Sequence, residues 1–367
     1  MSQPEGSDSS PQTLNTALLD LLSTYQDLNP NVADEIHEEP SPLEFMQYVA
    51  RNRPLIIRGG AESFKAYRDW GAAYLTDVVG ECDVNVSVTP FGNADSILTE
   101  RDGSLSFVKP YEQTEKFRDL ISYIQNQSMS HDDHGPVKYG QTQNDNLRNE
   151  YASLFTDVPE KGPPFARIAL QRAPEAINFW LGNARSVTSL HRDNYENIYA
   201  QVRGRKHFVL LPPVASVAVN EQALPSRTYV LTEEAARLRD DTGLAEIKTG
   251  DLEARLDGEG EEGELVRWAL WDPDVPGQSG TPYSEHVRPM KVTLNEGDLL
   301  YLPALWYHKV SQSCGQEGFC CAVNYWYDMD FSGSFWAVNA FVKDIAQLSQ
   351  GQEQDREKAV LINPALR

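Results

Sequence analysis

The feature that most constrains this chain is a His-Arg-Asp triplet, His191–Asp193, with a lone histidine, His308, far downstream. Side chains two residues apart in a β-strand point to the same face, so His191 and Asp193 would aim an imidazole and a carboxylate at one point. A His-x-Asp triplet often arises by chance. His308 makes this one more specific, because it follows a turn, a predicted strand and a proline stop in Glu296–Pro303. The chain therefore needs a sheet in which the ends of two distant strands meet.

Two histidines and a carboxylate on one face form the facial triad that holds non-haem Fe(II), and His191, Asp193 and His308 are the predicted ligands. Such a triad leaves three coordination positions open, which suit a bidentate 2-oxoacid and O2. Two of these residues also have an ordinary alternative. His308 could be a hydrogen-bonded core histidine, and Asp193 could be a turn residue. The three residues together, with a cosubstrate pocket beside them, favour the metal site.

A predicted cosubstrate pocket lies on the strand that begins at Lys206. The distal carboxylate of 2-oxoglutarate would need a cation, because burying an unpaired charge inside a barrel is costly. Lys206 follows the tight turn at Gly204 and opens an apolar strand, so it can supply that cation. Thr188, close before His191, could add a hydroxyl donor. The alternative for Lys206 is an exposed strand end whose aliphatic stem lies along the sheet.

The second half of the chain contains short apolar runs separated by turn residues, a spacing typical of an antiparallel barrel or a double-sheet jelly roll. The predicted strands are Ala166–Gln171, Ala176–Leu181, Ile198–Val202, His207–Leu211, Lys291–Leu294, Leu299–Leu302 and Phe319–Tyr327. A long polar stretch interrupts them at about residues 231–290. It includes a predicted helix, Leu231–Arg239, and an acidic, glycine-rich run, Asp257–Glu264, which we interpret as a solvated loop.

The rest of the chain is predicted to contain helices and one short strand. The helices are Thr13–Leu28, one starting at Ser41 and ending near Asn52, Thr114–Gln125 and Phe335–Leu348, and the strand lies within Arg53–Gly60. The first helix carries an apolar stripe from Leu14 to Tyr25. This stripe leaves open a homodimer contact or a helix docked on the barrel.

The net charge of −22 disfavours direct binding of nucleic acid or an anionic membrane and favours a basic protein segment as partner. Plain solubility would explain the charge equally simply. The sequence shows no uninterrupted apolar run long enough to span a bilayer, and Met1–Pro11 lacks the features of a secretory signal. The four cysteines form no Cys-x-x-Cys pair. We therefore expect a cytoplasmic or nuclear protein in a reducing compartment.

Several motifs, in order along the chain, resemble the small JmjC (jumonji) protein hydroxylases, and most closely the jumonji lysyl hydroxylases also described as peptidases. They are Arg53–Gly60, Val88–Asp95, Phe107–Pro110, Asn178–Gly182, Val187–Asn197, Gly204–Phe208 with Pro212–Pro213, Gly297–His308 and Ala322–Asp328. The resemblance covers about residues 40–348.

This resemblance implies a mainly β, cupin-like double-stranded β-helix with an N-terminal α/β extension and a C-terminal helix, using Fe(II), 2-oxoglutarate and O2. The expected organisation is a disordered segment 1–12, an extension 13–160, a catalytic JmjC domain 161–349 with an acidic insertion at about 231–290, and a tail 350–367. The resemblance assigns the iron to His191, Asp193 and His308, the cosubstrate region to Thr188, Lys206, Tyr139, Asn197 and Asn324, and the substrate side to Tyr195 and Trp326.

The expected reaction is C-hydroxylation of a lysine in an intracellular protein, with translation-associated GTPases as the substrate class to which the resemblance points. The aromatic cluster Trp306, Tyr307, Tyr325, Trp326 and Tyr327 could hold an alkylammonium group or could be barrel core. Three alternatives remain open: a JmjC demethylase, a methyl-arginine-directed peptidase, and a non-catalytic cupin-like binding protein. Asp193 slightly favours hydroxylation, because glutamate is common at that position in histone demethylases.

Overall fold

A computed structural model describes residues 11–130, 134–143, 145–242, 247–260 and 263–349 of the chain. The predicted tail 350–367 and residues 1–10 of the predicted disordered segment lie outside the described residues. Pro11 and Gln12, the last two residues of that segment, are instead helical, because the first helix begins at Pro11.

Eight α-helices are present in the described part of the chain. They are α1 Pro11–Leu28, α2 Pro42–Arg51, α3 Lys65–Asp69, α4 Ala72–Val79, α5 Phe117–Met129, α6 Pro164–Leu170, α7 Glu233–Thr242 and α8 Phe335–Ser349. Helix α2 starts where its sequence predicts. Ser41 accepts a hydrogen bond from the Glu44 N–H, and the Glu44 carboxylate accepts one from the Ser41 N–H, which completes a capping box. None of the helices in the described ranges is long and apolar enough to cross a membrane.

The strands of the N-terminal part of the chain are β1 Asp34–Ile36, β2 Leu55–Ile57, β3 Asp83–Thr89, β4 Asn93–Ala94, β5 Ser96–Thr99, β6 Leu105–Lys109, β7 Tyr111–Lys116 and β8 Val137–Tyr139. The later strands are β9 Ala176–Gly182, β10 Val187–His191, β11 Tyr195–Arg203, β12 Arg205–Leu211, β13 Glu221–Leu231, β14 Leu252–Leu256, β15 Leu265–Ala269, β16 Met290–Leu294, β17 Leu299–Leu302, β18 Tyr307–Ser313 and β19 Cys320–Asp328.

Two facing sheets make the predicted double-stranded β-helix. One has the order β1-β2-β17-β11-β19-β9 and the other the order β16-β12-β18-β10-β4. Along the chain, β9 to β12 alternate between the two sheets, and so do β16 to β19. Antiparallel pairing joins the barrel strands within each sheet. The jelly-roll expectation is therefore confirmed.

The period-two alternation of the strands separates the barrel interior from the outer face of the six-stranded sheet. Inside the barrel, apolar residues of both sheets form one cluster that includes Tyr199, Phe208, Leu210, Val292 and Leu300. Alternate residues of the six-stranded sheet point outward and pack on the N-terminal helices, in a second cluster that includes Phe45, Phe117, Phe179, Ile198 and Val323. Inward-pointing polar side chains therefore share the space between the sheets.

The predicted strand Ala166–Gln171 is wrong, because this segment belongs to helix α6. Pro163 and Pro164 precede it, and proline at the first helical position is preorganised for a helix. Phe165 and Ala166 are buried, and Ala169 and Leu170 pack against the same core. This is a helical rather than an alternating pattern.

The start of the predicted helix Thr114–Gln125 is also wrong, because residues up to Lys116 belong to strand β7. Its partner is β3, which pairs with it in antiparallel register from Asp83–Lys116 to Val88–Tyr111. Helix α5 begins at Phe117 and keeps the predicted buried face. A distant strand overrides the local helical preference here.

The polar stretch before β16 is a structured insertion that starts earlier than the sequence pattern indicates. The connection between β12 and β16 runs over residues 212–289 and contributes β13, β14 and β15, which the sequence analysis did not predict. Strand β13 pairs with β14, with β15 and, in parallel, with β6 of the N-terminal extension. The extension and the insertion thus share one sheet beside the barrel.

The acidic run Asp257–Glu264 is only partly the solvated loop that we expected; its residues 261–262 lie outside the described residues. Asp257 pairs with Lys109 at 2.9 Å and accepts hydrogen bonds from Ser226 and Thr228. This carboxylate therefore anchors the loop to β6 and β13.

Candidate metal centre and adjoining pockets

His191, Asp193 and His308 converge at one end of the barrel. His191 ends β10, Asp193 lies just beyond it, and His308 is the cross-strand partner of His191 on β18. One Asp193 carboxylate oxygen, Oδ2, lies 3.9 Å from His191 Nε2 and 3.6 Å from His308 Nε2. All three ligand atoms fall within 4.8 Å of one another. The spacing is that of donors around a common ion.

Both histidines direct Nε2 toward this point because Nδ1 is engaged elsewhere. His191 Nδ1 lies 2.7 Å from the Ser189 carbonyl, and His308 Nδ1 lies 3.0 Å from the Trp306 carbonyl. A carbonyl only accepts, so each Nδ1 carries the proton and each Nε2 keeps a free lone pair. Burial, followed by the neighbouring His191, also lowers the pKa of His308 well below its usual value. Neutral imidazoles of this kind are suited to bind a metal.

Asp193 is held by the backbone of the segment that precedes His308. The Leu305 N–H donates to the Asp193 carbonyl at 2.8 Å, and Leu305 adopts a left-handed φ of 67°. Non-glycine residues seldom adopt this conformation, and it concentrates at sites where geometry is demanding. Burial raises the pKa of the Asp193 carboxyl, which a cation at the site would reverse.

The predicted cosubstrate residues Tyr139, Thr188 and Lys206 line one polar cavity between the two sheets. Lys206 is buried at the start of β12, and burial lowers its pKa. Among the described residues, no carboxylate lies within salt-bridge distance of Lys206. A buried ammonium without a counterion suits an anionic ligand, so the alternative of an exposed strand end does not hold. Trp180 and Gln312, which the sequence analysis did not select, also line this cavity.

The predicted pair Asn197 and Asn324 forms part of an amide chain across three neighbouring strands. Asn324 Nδ2 donates to Asn197 Oδ1 at 3.3 Å. The Asn324 Oδ1 accepts from Asn178 Nδ2 at 3.2 Å and from Trp180 Nε1 at 2.9 Å. These buried bonds fix the floor of the barrel next to the Lys206 cavity.

Tyr195 and Trp326, predicted on the substrate side, stack face to face with ring centroids 5.0 Å apart and planes within 3°. Tyr195 lies opposite Asp328 across β11 and β19. Burial, with Glu175, Asp328 and Asp193 nearby, raises the pKa of Tyr195 to about 12. The Tyr195 hydroxyl is therefore close to the metal-binding carboxylate and to two further carboxyl groups.

Glu175 and Asp328 are a carboxyl pair that the sequence analysis missed. The Asp328 carboxyl, in hydrogen-bonding contact, is the largest cause that raises the pKa of the mostly exposed Glu175. Neither carboxylate forms a salt bridge with a cation in the described part of the chain. The only signal in the sequence was the position of Asp328, which shares the inward face of β19 with Asn324 and Trp326.

The aromatic cluster proposed from the sequence is divided by strand alternation. Tyr325 and Tyr327 point to the outer face and join the core that packs on the helices. Tyr307 packs on the far side of β18, and Trp306 donates its Nε1 hydrogen to Asn52. Only Trp326 is on the site side. One further ring was missed: Trp268 of β15 lies parallel to the His191 imidazole, with centroids 6.0 Å apart.

Comparisons with known proteins agree with this geometry. Residues 40–333 match the family of the cupin-like domain. The chain is 36% identical to the human bifunctional peptidase and (3S)-lysyl hydroxylase JMJD7, over 82% of this chain and 86% of that protein. It is 33% identical to JmjC domain-containing protein E of Dictyostelium discoideum, over 88% and 90% of the two chains. It is 32% identical to the Arabidopsis thaliana lysine-specific demethylase JMJ32, over 81% and 82%.

Proposed function

Because this chain belongs to the cupin-like JmjC family, a family of Fe(II)- and 2-oxoglutarate-dependent dioxygenases, we propose that it hydroxylates a lysine side chain of a protein substrate. The observation that carries the proposal is the convergence of His191, Asp193 and His308 next to a cavity containing the buried Lys206, which has no carboxylate partner among the described residues.

The donor set fits a ferrous ion. Two Nε2 lone pairs and one carboxylate oxygen on one side of the site are the combination that non-haem iron oxygenases use. His191, Asp193 and His308 would hold the ion, and the hydrogen bonds to Ser189 and Trp306 would keep the imidazoles in the required tautomer. When bound, iron supplies the activation of O2 that the side chains cannot provide.

The Lys206 cavity fits 2-oxoglutarate. Lys206 would pair with the distal carboxylate, and the hydroxyl groups of Thr188 and Tyr139 could donate to the same anion. The Tyr139 side chain is buried, and burial raises its pKa well above the usual value, so it stays a donor. Asn197 and Asn324 would complete the polar wall beside the iron.

A cationic substrate side chain is supported by the carboxyl pair Glu175 and Asp328. A lysine that passes along the stacked Tyr195 and Trp326 rings would bring its ammonium group close to these carboxylates while its methylene groups pack on the rings. The ammonium would lie beside two like charges, and the neighbouring Asp328 raises the pKa of Glu175. The net charge of −22 would also favour encounter with a basic segment.

Translation-associated GTPases in the cytoplasm or nucleus are the substrate class that we propose to test first. The support is the similarity to a human lysyl hydroxylase, together with an acidic surface that suits lysine-rich segments. We propose no direct nucleic-acid or membrane partner.

A homodimer is a separate proposal, and helix α8 offers a better surface for it than α1. Leu18 and Leu22 of α1 are buried against Val217, Ala218 and Ala346, so the predicted stripe is largely a docked helix face. Val338 and Phe341 of α8 remain exposed. Sedimentation of the wild type and of a Val338→Asp/Phe341→Asp variant would test this surface, and a monomeric wild type would refute the dimer.

The deciding experiment for the reaction uses matched peptides with Fe(II), 2-oxoglutarate and O2, followed by mass spectrometry. One peptide carries a lysine, one carries arginine at the same position, and one carries methylated lysine. Added oxygen on the lysine peptide alone supports the proposal. Equal oxidation of the lysine and arginine peptides would contradict it, and His191→Ala provides the inactive control.

Demethylation is the second candidate, because one relative at 32% identity is named a lysine-specific demethylase. Loss of a methyl group from the methylated peptide, with no stable oxygen on the unmodified one, would favour this outcome. Cleavage of a peptide bond in the same reactions would instead favour the peptidase activity named for the human relative.

A further inference from the structure

Arg192, the residue between the first two metal ligands, points away from the metal site into the surrounding core. Its guanidinium lies over the Tyr307 ring at 5.1 Å, and its Nε lies 3.5 Å from Glu221 Oε1. Tyr307 directly precedes the third ligand, His308. Arg192 therefore links the two ligand-bearing segments through its side-chain contact with Tyr307.

Glu221 is the centre of this arrangement. The Tyr307 hydroxyl donates to Glu221 Oε1 at 2.5 Å, and Lys343 of α8 forms an ion pair with Glu221 Oε2. Although burial alone would raise it, Arg192 and Lys343 hold the pKa of Glu221 at about 2. The carboxylate is therefore ionised in the folded protein and bound by groups from three separate segments.

The position of Glu221 in the fold means that its contacts join the insertion to the metal-binding segments. It is the first residue of β13, the strand that opens the insertion, and its partners belong to the two metal-binding segments and to the C-terminal helix. The insertion makes two more contacts of this kind. Trp268 lies parallel to the His191 ring, and Asp272 pairs with Lys309, the residue after His308, at 2.7 Å. The insertion thus supports both ligand-bearing strands.

We propose that Glu221 is a positioning residue of the metal centre, which fixes the relative placement of His191, Asp193 and His308 through Arg192 and Tyr307. This inference rests on the proposed metal site and adds a role for the insertion. Groups that orient metal ligands typically contribute 10–100-fold to metal affinity.

Loss of the Glu221 charge should make the relative positions of the three metal ligands less fixed, although all three ligands remain. Two cations, Arg192 and Lys343, would then face each other without the carboxylate between them, and the Tyr307 hydroxyl would keep only a neutral amide oxygen as its acceptor. Breaking one side of a buried ionic network is costly, so the flanking segments are expected to shift. An ordinary structural salt bridge would lower stability but leave metal affinity unchanged.

The test compares Glu221→Gln with Asp257→Asn, a matched control in the same insertion. Asp257 is also a partly buried carboxylate with an ion-pair partner and two hydroxyl donors, but its contacts are with Lys109, Ser226 and Thr228. Co(II) is titrated into each metal-free protein, and the visible absorption bands report both affinity and coordination geometry. Thermal unfolding of the metal-free proteins is measured in parallel.

We expect Glu221→Gln to weaken Co(II) binding by about 10-fold or more and to alter the absorption bands. Asp257→Asn should bind Co(II) as the wild type does, even where its unfolding temperature falls. Wild-type Co(II) affinity and bands in folded Glu221→Gln would overturn the inference. Tyr307→Phe, which removes one hydroxyl, replaces Glu221→Gln if that variant does not fold, and unchanged binding there would equally overturn it. If the wild type and His191→Ala bind Co(II) alike, the proposed metal site itself fails.

Discussion

His191 and His308 are direct cross-strand partners on β10 and β18, with ring centroids 4.1 Å apart. The pairing brings together two residues from distant parts of the chain and leaves both Nε2 atoms facing Asp193. A β-bulge between Thr188 and His191 shifts the register immediately before this pair. Bulges commonly redirect side chains near functional sites, so the local irregularity belongs to the geometry of the centre.

Replacing His191 or Asp193 by alanine should abolish iron-dependent turnover of 2-oxoglutarate while the fold is kept. Each change removes one of three donors but little buried apolar surface. The measurement is succinate formation, with circular dichroism as the check on folding. His286→Ala, an exposed histidine outside the cluster, is the matched control and should behave as the wild type. Turnover at the wild-type rate in both ligand variants would rule out this metal site.

Lys206→Ala should raise the requirement for 2-oxoglutarate far more than it weakens metal binding. Breaking one side of a buried salt bridge costs about 3–5 kcal/mol, which corresponds to a loss of affinity of about 100-fold or more. Titration of 2-oxoglutarate into the Mn(II)-loaded protein measures this. Lys291→Ala on the neighbouring strand β16 is the control, because Lys291 is exposed. If Lys206→Ala binds 2-oxoglutarate with unchanged affinity, Lys206 does not bind the cosubstrate.

Glu175→Gln and Asp328→Asn should raise KM for a lysine peptide a few-fold and leave the KM for 2-oxoglutarate unchanged. An exposed charge contact of this kind contributes about 0.2–1 kcal/mol, and neither carboxyl group lines the Lys206 cavity. Glu233→Gln, at an exposed carboxylate on α7, is the control. Equal KM values for the peptide across all variants would remove Glu175 and Asp328 from the substrate site.

The same pair predicts a pH dependence of peptide binding. The contact with Asp328 raises the pKa of Glu175, so Glu175 takes up a proton at a higher pH than an ordinary glutamate. Affinity for a lysine peptide should therefore fall as the pH drops through this raised pKa and recover as the pH increases. In Glu175→Gln the dependence should be flatter. A wild-type profile identical to that of Glu175→Gln would contradict the prediction.

Asp157→Asn should destabilise the fold by about 1–3 kcal/mol without changing 2-oxoglutarate turnover per folded molecule. Its buried carboxylate accepts hydrogen bonds from Lys65 at 2.6 Å, Trp70 Nε1 at 2.9 Å and the Tyr74 hydroxyl at 2.8 Å. Burial opposes ionisation, but these donors lower the pKa of Asp157 overall. Its stabilising effect is thus present above the unfolded-state pKa and is lost as the pH falls through the lower folded-state value. Urea unfolding at pH 7 and at acidic pH would measure both effects.

Strand alternation made much of the barrel and its site predictable from the sequence. Asn197 and Tyr195 differ by two positions on β11, as Asn324 and Trp326 do on β19, so assigning the strands places all four on one face. Lys206 could be selected because it follows the tight turn at Gly204 and opens an apolar run of residues. Local patterns of this kind need no knowledge of which strands pair.

The features that the sequence analysis missed depend on partners that are distant in the chain. Tyr111–Lys116 is a strand because β3 pairs with it, and Glu221 matters because Arg192, Tyr307 and Lys343 meet it. The alternation of β19 that places Trp326 on the inner face also turns Tyr325 and Tyr327 to the outer face. The sequence analysis grouped these aromatic residues because they are neighbours in the chain, and so it missed this division. Strand pairing and register, rather than local composition, determine the structure at these positions.

The parallel pairing of β6 with β13 has a practical consequence for anyone who wishes to trim this protein. A fragment beginning at residue 161 would keep β9 to β19 but would lose β2, the partner of β17, and would expose the edge of β13 where Ser226–Thr228 now pair with Phe107–Lys109. Uncovered strand edges recruit other chains. Such a fragment should precipitate or self-associate on expression, and the smallest well-behaved piece must therefore begin upstream of β2.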